Sequence, residues 1–249
     1  MIRNDLIYGL DAVAFAGDLL NFKADGWQAR VLRWEGKRML LNCSRQSGKS
    51  TTTAVLALHR ALYYPGSLIL LISPSLRQSS ELFRKVTDFQ KLMPFKSKLV
   101  EDNKLSLTMD NGSRILSLPA SGATIRGFSA VSLIIEDEAA HVEDQLYMSV
   151  RPMLAVGQGK IILMSTPFGK RGHFHSEWTE GGDTWERIEV KAAECSRISS
   201  EFLAEEKRSL GEWWFRQEYC CEFCDTTDQL FTYDMVQQAI DNTIEVMKF

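Results

Sequence analysis

The stretch Cys43-Ser44-Arg45-Gln46-Ser47-Gly48-Lys49-Ser50 constrains this chain more than any other. An apolar run, residues 39–43, enters it, and a helical apolar pattern, residues 51–64, leaves it. A buried strand, a tight turn closing on Gly-Lys-Ser and a helix together make a phosphate cradle, because backbone N–H groups and the positive end of the helix face an anion. In such a cradle Lys49 reaches the β- and γ-phosphates and the Ser50 hydroxyl ligates Mg²⁺, while Arg45, Gln46, Ser47, Gly48 and Thr51 complete the nucleotide-binding set. The usual pattern opens with glycine at the position Cys43 holds, so the match is incomplete. The competing reading is a Ser-rich helix N-cap.

The second signal is Val131-Ser132-Leu133-Ile134-Ile135-Glu136-Asp137-Glu138-Ala139-Ala140-His141, a buried strand ending in acids. Ligands of open α/β sheets sit at such carboxyl ends. One acid there can hold the Mg²⁺–water shell and the next can polarise the attacking water. The register assigns Asp137 to the metal and Glu138 to the general base, with Glu136 leaving an ambiguity of one position. Phosphoryl transfer also needs a cation on the developing charge. Arg45 in the loop and Arg126 on the turn before the acidic strand are both candidates, and spacing does not choose between them.

Strand signals recur along the chain. Residues 39–43, 68–73, 131–135 and 160–164 are continuous apolar runs, as in buried parallel strands. Residues 51–64 and 76–92 read as helices between them, and residues 105–109 and 114–118 flank a hairpin signal, Asp110-Asn111-Gly112. This alternation predicts an α/β, three-layer fold with a mostly parallel central sheet. Residues 1–22 read as one amphipathic helix and residues 29–34 as a short one. Trp27-Gln28, just ahead of the loop, suggests an adenine pocket in which Gln28 donates to and accepts from the base edge; a buried Trp beside an exposed Gln is the alternative.

Ser165-Thr166-Pro167 ends the next buried strand, where small hydroxyl residues can sense the γ-phosphate and pass its loss onward. Behind it, Gly169-Lys170-Arg171-Gly172-His173 reads as a flexible basic loop, with Lys170 and Arg171 as candidate contacts to a nucleic-acid phosphate backbone; an ordinary exposed loop with two cations is the alternative. Residues 199–224 read as two charged helices broken at Gly211, with Trp213, Trp214, Phe215, Tyr219 and Phe223 on an aromatic face. Residues 1–194 form the expected core, and residues 195–249 a small helical lid followed by the start of a linker.

The net charge of -3 gives no global basic footprint, so any nucleic-acid contact must come from a local patch. Five cysteines are an odd set for a secreted disulfide framework and predict a reduced interior. Cys221 and Cys224 lack the second paired cluster of a structural zinc site and read as core thiols. No apolar run approaches the ~20 residues of a membrane span.

Taken in order, Trp27-Gln28, the loop at residues 45–50, Ser73-Pro74-Ser75, Ile125-Arg126-Gly127, the acids at residues 136–138 and Ser165-Thr166-Pro167 resemble the large terminase subunit of tailed bacteriophages. The resemblance implies an ATP-hydrolysing motor with an ASCE-type P-loop core and a lid, using ATP and Mg²⁺ and working as a homo-oligomeric ring. Its implied partners are double-stranded DNA, a portal protein and a small terminase subunit, in the host-cell cytoplasm with no membrane. It implies that Gln28 reads adenine, that Lys49 and Ser50 hold phosphate and Mg²⁺, that Asp137 and Glu138 are the metal and catalytic acids, that Ser165, Thr166 and Pro167 couple the site to motion, and that Arg126 acts in trans. Full-length members carry a C-terminal nuclease domain. Residues 225–249 offer no cluster of acids for it, so nuclease activity is not expected of this chain. Two alternatives share the motifs: a helicase-like P-loop ATPase, and a nucleotide-dependent assembly module that is inactive as a monomer.

Overall fold

A computed structural model describes residues 2–93, 99–120, 125, 127–225, 235 and 239. Arg126 and the end of the expected lid and linker, residues 226–249 apart from Met235 and Ala239, lie outside the described residues.

The described strands are β1 (Arg38–Cys43), β2 (Leu68–Ser73), β3 (Leu99–Asp102), β4 (Ser106–Met109), β5 (Arg114–Pro119), β6 (Leu133–Asp137), β7 (Lys160–Ser165) and β8 (Glu186–Val190). They form one sheet in the order β3-β4-β5-β2-β6-β7-β1-β8. Every pairing from β5 to β8 is parallel, and only β3-β4 and β4-β5 are antiparallel, so the hairpin is an extension on one edge of a parallel sheet. The fold is therefore α/β with a mostly parallel sheet, as the runs of buried Leu and Ile predict. The edge strands β3 and β8 escape the sequence pattern. Glu186-Arg187-Ile188-Glu189-Val190 is half polar, because an edge strand keeps one row of side chains near water.

The helices are α1 (Ile2–Leu10), α2 (Ala12–Leu20), α3 (Gly26–Leu32), α4 (Lys49–Tyr63), α5 (Leu76–Leu92), α6 (Asp144–Val150), α7 (Gly172–Glu180) and α8 (Ser200–Cys220). The single helix expected over residues 1–22 is two. The Asp11 carboxylate accepts from the Val13 N–H and caps α2, while its second oxygen takes the Arg33 guanidinium at 2.7 Å. An aspartate satisfying the free N–H groups of a new first turn starts a helix rather than continuing one. Helix α8 contains the expected break: Gly211 sits at φ 79°, ψ 164°, a backbone that a side chain would oppose.

Alternation along the strands splits the core into two layers. Met39, Leu41, Leu133, Ile135 and Ile162 pack on the α2–α5 side, and Leu40, Ile134, Ile161 and Leu163 on the α6–α7 side. Helix α4 packs against α2 on the side away from the sheet, where Phe15, fully buried, meets His59 and Tyr63 edge-on at 5.3 and 5.8 Å. Among the described residues no helix is long and apolar enough to cross a membrane. Because Phe15 anchors the helix that carries Lys49 and Ser50, Phe15→Ala is expected to lower stability by about 3–5 kcal/mol. Urea denaturation measures it, and a loss below about 1 kcal/mol would contradict this packing.

Candidate nucleotide site

The loop between β1 and α4 turns through two left-handed residues, Gln46 at φ 61° and Gly48 at φ 98°. Gly48 caps α4 without a side-chain hydrogen bond, so the first-turn N–H groups of α4 meet no capping side chain and can face an anion. Cys43 needs none of this conformational freedom. It is the last residue of β1, paired in register with Val190 and fully buried, so an ordinary strand backbone serves where the usual pattern has glycine. Burial pushes its thiol up to about 12, which leaves it an inert part of the wall.

Lys49 and Ser50 meet the acids of β6 above this loop. The Lys49 Nζ lies 3.1 Å from Glu138 Oε1, and the Ser50 hydroxyl donates to Asp137 Oδ2 at 3.0 Å. Burial disfavours the Lys49 ammonium, but Glu138 and Asp137 outweigh it and hold its pKa above the ordinary lysine range. Strand parity sets which acid faces the loop. Leu133, Ile135 and Asp137 face the α4 side, whereas Ile134 and Glu136 face α6 and α7. Glu136 is thus fully buried on the wrong side for the loop, where its Oε1 lies 2.6 Å from His173 Nε2. Glu138 follows the strand in a left-handed conformation, φ 54°, ψ 42°, unusual for a residue with a side chain. Strain of this kind costs of order 1–3 kcal/mol and collects where a side chain must be aimed.

Ser165 stands beside this pair. Asp137 pairs with Met164 across β6 and β7, which sets Ser165 next to Glu138, and its hydroxyl is 3.4 Å from Glu138 Oε2. Thr166 and Pro167 are buried immediately after it.

The loop opens on a cavity of about 520 Å³ lined by Gln46, Gly48, Lys49, Ser50, Lys85 and Arg197 among others. Lys85 and Arg197 were not foreseen. The Arg197 guanidinium donates to the Ser47 carbonyl at 2.8 Å and pairs with Asp25 at 2.8 Å; the Lys85 ammonium donates to Thr51 Oγ1 at 3.2 Å. They stand 34 residues after Thr51 and 150 after Ser47, and only the fold brings them to the loop. A second cavity, about 370 Å³, lies at the opposite ends of the strands, beside Leu133 and Lys160, far from the acids.

Other expected residues have different surroundings. Gln28 is buried, not exposed, and its Oε1 accepts from the Asp25 N–H as part of a capping box; its amide nitrogen faces Gly48. Arg45 bonds to Glu218 of α8 through both its guanidinium and its backbone N–H, and it does not line the cavity. Lys170 pairs with Asp225 at 3.3 Å, and Arg171 stacks on Phe168 at 4.5 Å. His173, expected in a flexible loop, lies buried in the first turn of α7. Among the described residues no group of three or more His, Cys, Asp or Glu is placed to hold a metal. A hydroxyl and a carboxylate side by side at a phosphate loop do fit the hard-oxygen, part-hydrated coordination of nucleotide-bound Mg²⁺.

This geometry can be set against known proteins. The family model for the terminase large subunit, T4likevirus-type, N-terminal, matches residues 40–238. The chain belongs to the terminase large-subunit family. A large terminase subunit of Thermus phage G20c is 24% identical over 86% of this chain, and the chain spans about half, 52%, of that relative. The large terminase ATPase domain of Thermus phage P74-26 superposes with a TM-score of 0.74 at 23% identity, covering 83% of this chain and 96% of that one. The large terminase of another thermophilic bacteriophage, solved in complex with ADP, gives 0.68 at 11% identity over 81% and 54%. The fold is that of terminase ATPase domains.

Burial, opposed by Lys49 and reinforced by Glu138, pushes Asp137 from an ordinary 3.8 up to about 6. Its folded pKa lies above its unfolded one, so the folded chain holds the proton more tightly, and ionising Asp137 lowers stability as pH rises from about 4 to 6. Magnesium needs the ionised carboxylate. Affinity for Mg-ADP should therefore rise through about pH 6 and level off above it, and Asp137→Asn should flatten the profile. Calorimetric titration across pH checks this, and a wild-type profile with no rise would refute it.

Proposed function

We propose that this chain is the ATP-hydrolysing motor domain of a viral DNA-packaging terminase, coupling ATP hydrolysis to translocation of double-stranded DNA. One observation carries the reading: Lys49–Glu138 and Ser50–Asp137 stand side by side above a loop whose helix N-terminus carries no capping side chain. No other described part of the chain joins a phosphate cradle to a pair of acids.

Lys49 and Glu138 neutralise each other. An incoming γ-phosphate competes for the Lys49 ammonium, and the Glu138 carboxylate released from it can take the proton of a water that attacks the γ-phosphorus as the bond to ADP breaks. Lys85 and Arg197 add positive charge at the rim, and Ser50 and Asp137 would hold Mg²⁺. When bound, that ion neutralises charge on the β- and γ-phosphate oxygens. The Ser165 hydroxyl, close to Glu138, is placed to respond to the state of the acid, in keeping with a coupling role for Ser165, Thr166 and Pro167. Gln28, with its amide toward Gly48, supports the base side of the pocket.

Arg45 is held by Glu218 off the cavity wall, which supports Arg126, supplied by a neighbouring subunit of a ring, as the cation of the transition state. Residues 195–225, which bring Arg197 and Glu218 to the loop, are read as the lid. Double-stranded DNA, a portal protein and a small terminase subunit complete the assembly in the host cytoplasm, with Lys170 and Arg171 as the DNA contacts to test first.

Turnover is expected to be weak in dilute protein and to climb with concentration as rings form. Lys49→Ala and Glu138→Gln should each lower it by roughly 100-fold or more. Glu138→Gln should still bind ADP. Normal turnover in Glu138→Gln would remove it as the base. Mixed rings of Arg126→Ala and Glu138→Gln subunits should regain activity, because some interfaces then join an intact arginine to an intact acid. No recovery in rings shown to co-assemble would exclude action in trans.

A further inference from the structure

Glu136 is the acid of β6 that the proposed chemistry does not use, yet it is the most deeply buried of the three. Its carboxylate lies fully inside the α6–α7 layer, with Oε1 2.6 Å from His173 Nε2 and Oε2 without a hydrogen-bond partner among the described residues. His173 is itself only 5% exposed and is flanked on both ring nitrogens by carboxylates, because Asp144 Oδ1 lies 3.2 Å from Nδ1. A neutral imidazole can donate from one nitrogen only, so two facing carboxylates call for the doubly protonated ring. Burial opposes that charge, and Glu136 and Asp144 overcome it, raising the His173 pKa. Tyr147 of α6 covers the ring face at 4.5 Å and 9°, and its hydroxyl donates to Glu177 Oε1 at 2.6 Å. The ring is therefore held on its two nitrogens and on one face.

The placement of this ring matters because of what lies on either side of it in sequence. Glu136 immediately precedes Asp137 and Glu138. His173 follows the short basic loop, residues 168–171, and its backbone N–H is bonded to Asp144 Oδ1 at 2.6 Å at the N-terminus of α7. A second contact ties the same two segments: His141, just past the acids, stacks on Phe168 at 4.1 Å, and Phe168 in turn carries Arg171 at 4.5 Å. The acid end of β6 and the basic loop are thus joined at two points. One is a buried charged hydrogen bond with a defined geometry, which resists small displacements.

We propose that His173 is a positioning residue that transmits movement of the acid end of β6 to the basic loop at residues 168–171, through its bond to Glu136. The proposal rests on the nucleotide reading above. A nucleotide that draws Lys49 away from Glu138 shifts the acids, Glu136 shifts with them on the same strand, and the imidazolium carries the shift to the start of α7. Ser165-Thr166-Pro167 meets the acids from β7 and enters the same loop at residue 168, whereas His173 holds it from the other end, at the start of α7.

Hydrogen exchange of the whole chain, with and without Mg²⁺ and a non-hydrolysable ATP analogue, reads the link directly. In the unsubstituted protein the analogue should slow exchange both at residues 48–51 and at residues 168–173. In His173→Gln the slowing at 48–51 should persist and that at 168–173 should fall by roughly fivefold or more, with kcat reduced about tenfold and KM within about twofold. A purely structural role would lower stability without separating the two segments. Glu136→Leu removes the bond to the ring at similar side-chain volume and should show the same separation; it decides the matter if His173→Gln does not fold. Equal protection at 168–173 in the folded variant, or none there in the unsubstituted protein while 48–51 are protected, overturns the link. Absence of protection at 48–51 refutes the nucleotide reading and the link together.

Discussion

The site depends on one buried ammonium. Lys49 sits almost out of water, and a charge there would be expelled or neutralised if nothing met it. It is met by Glu138 at 3.1 Å and by the field of Asp137, both presented by a strand on the far side of β2 from the hairpin edge and in the middle of the sheet. A buried ion pair adds little net stability, because desolvation offsets much of the attraction. In the reaction proposed above, its value is that it is exchangeable: a phosphate would take Glu138's place beside Lys49 and leave the acid free to act on a water.

Strand β6 makes that exchange specific through its alternation. Glu136 faces the opposite layer, Asp137 faces the phosphate loop, and Glu138 leaves the strand in a left-handed turn that brings it back over Lys49. The same alternation that divides Leu133 and Ile135 from Ile134 gives neighbouring acids unrelated surroundings. Asp137 is hydrogen-bonded to Ser50, and Glu136 is closed in with His173. Parallel pairing to β2 and β7 on both sides holds the register, since a slip by one residue would exchange the faces.

The segment after β8 draws the remote chain toward the loop. The Asn42 amide donates to the Cys221 carbonyl at 2.8 Å, Arg45 bonds to Glu218, and Arg197 bridges Asp25 and Ser47. Each of these joins a residue near the loop to one about 150 or more positions later. The phosphate loop is in this way held between its own strand and residues 197–221.

The sequence by itself determined the local architecture: a buried strand running into Gly-Lys-Ser and a helix, a second buried strand ending in acids, a third ending in Ser-Thr-Pro, and the parallel sheet that continuous apolar runs require. These are properties of neighbouring residues, governed by apolar periodicity and by the conformational preferences of glycine and capping side chains. It also placed Asp137 and Glu138 in their order, but left Glu136 ambiguous, because three adjacent acids differ only in which face of the sheet each one meets. Tertiary structure decided that, along with the capping of α3 by Gln28, the withdrawal of Arg45 onto Glu218, the arrival of Lys85 and Arg197 at the cavity, and the burial of His173 between two carboxylates. Each of these depends on a partner distant in sequence, and no local pattern encodes the distance between residues that only the packed sheet brings together.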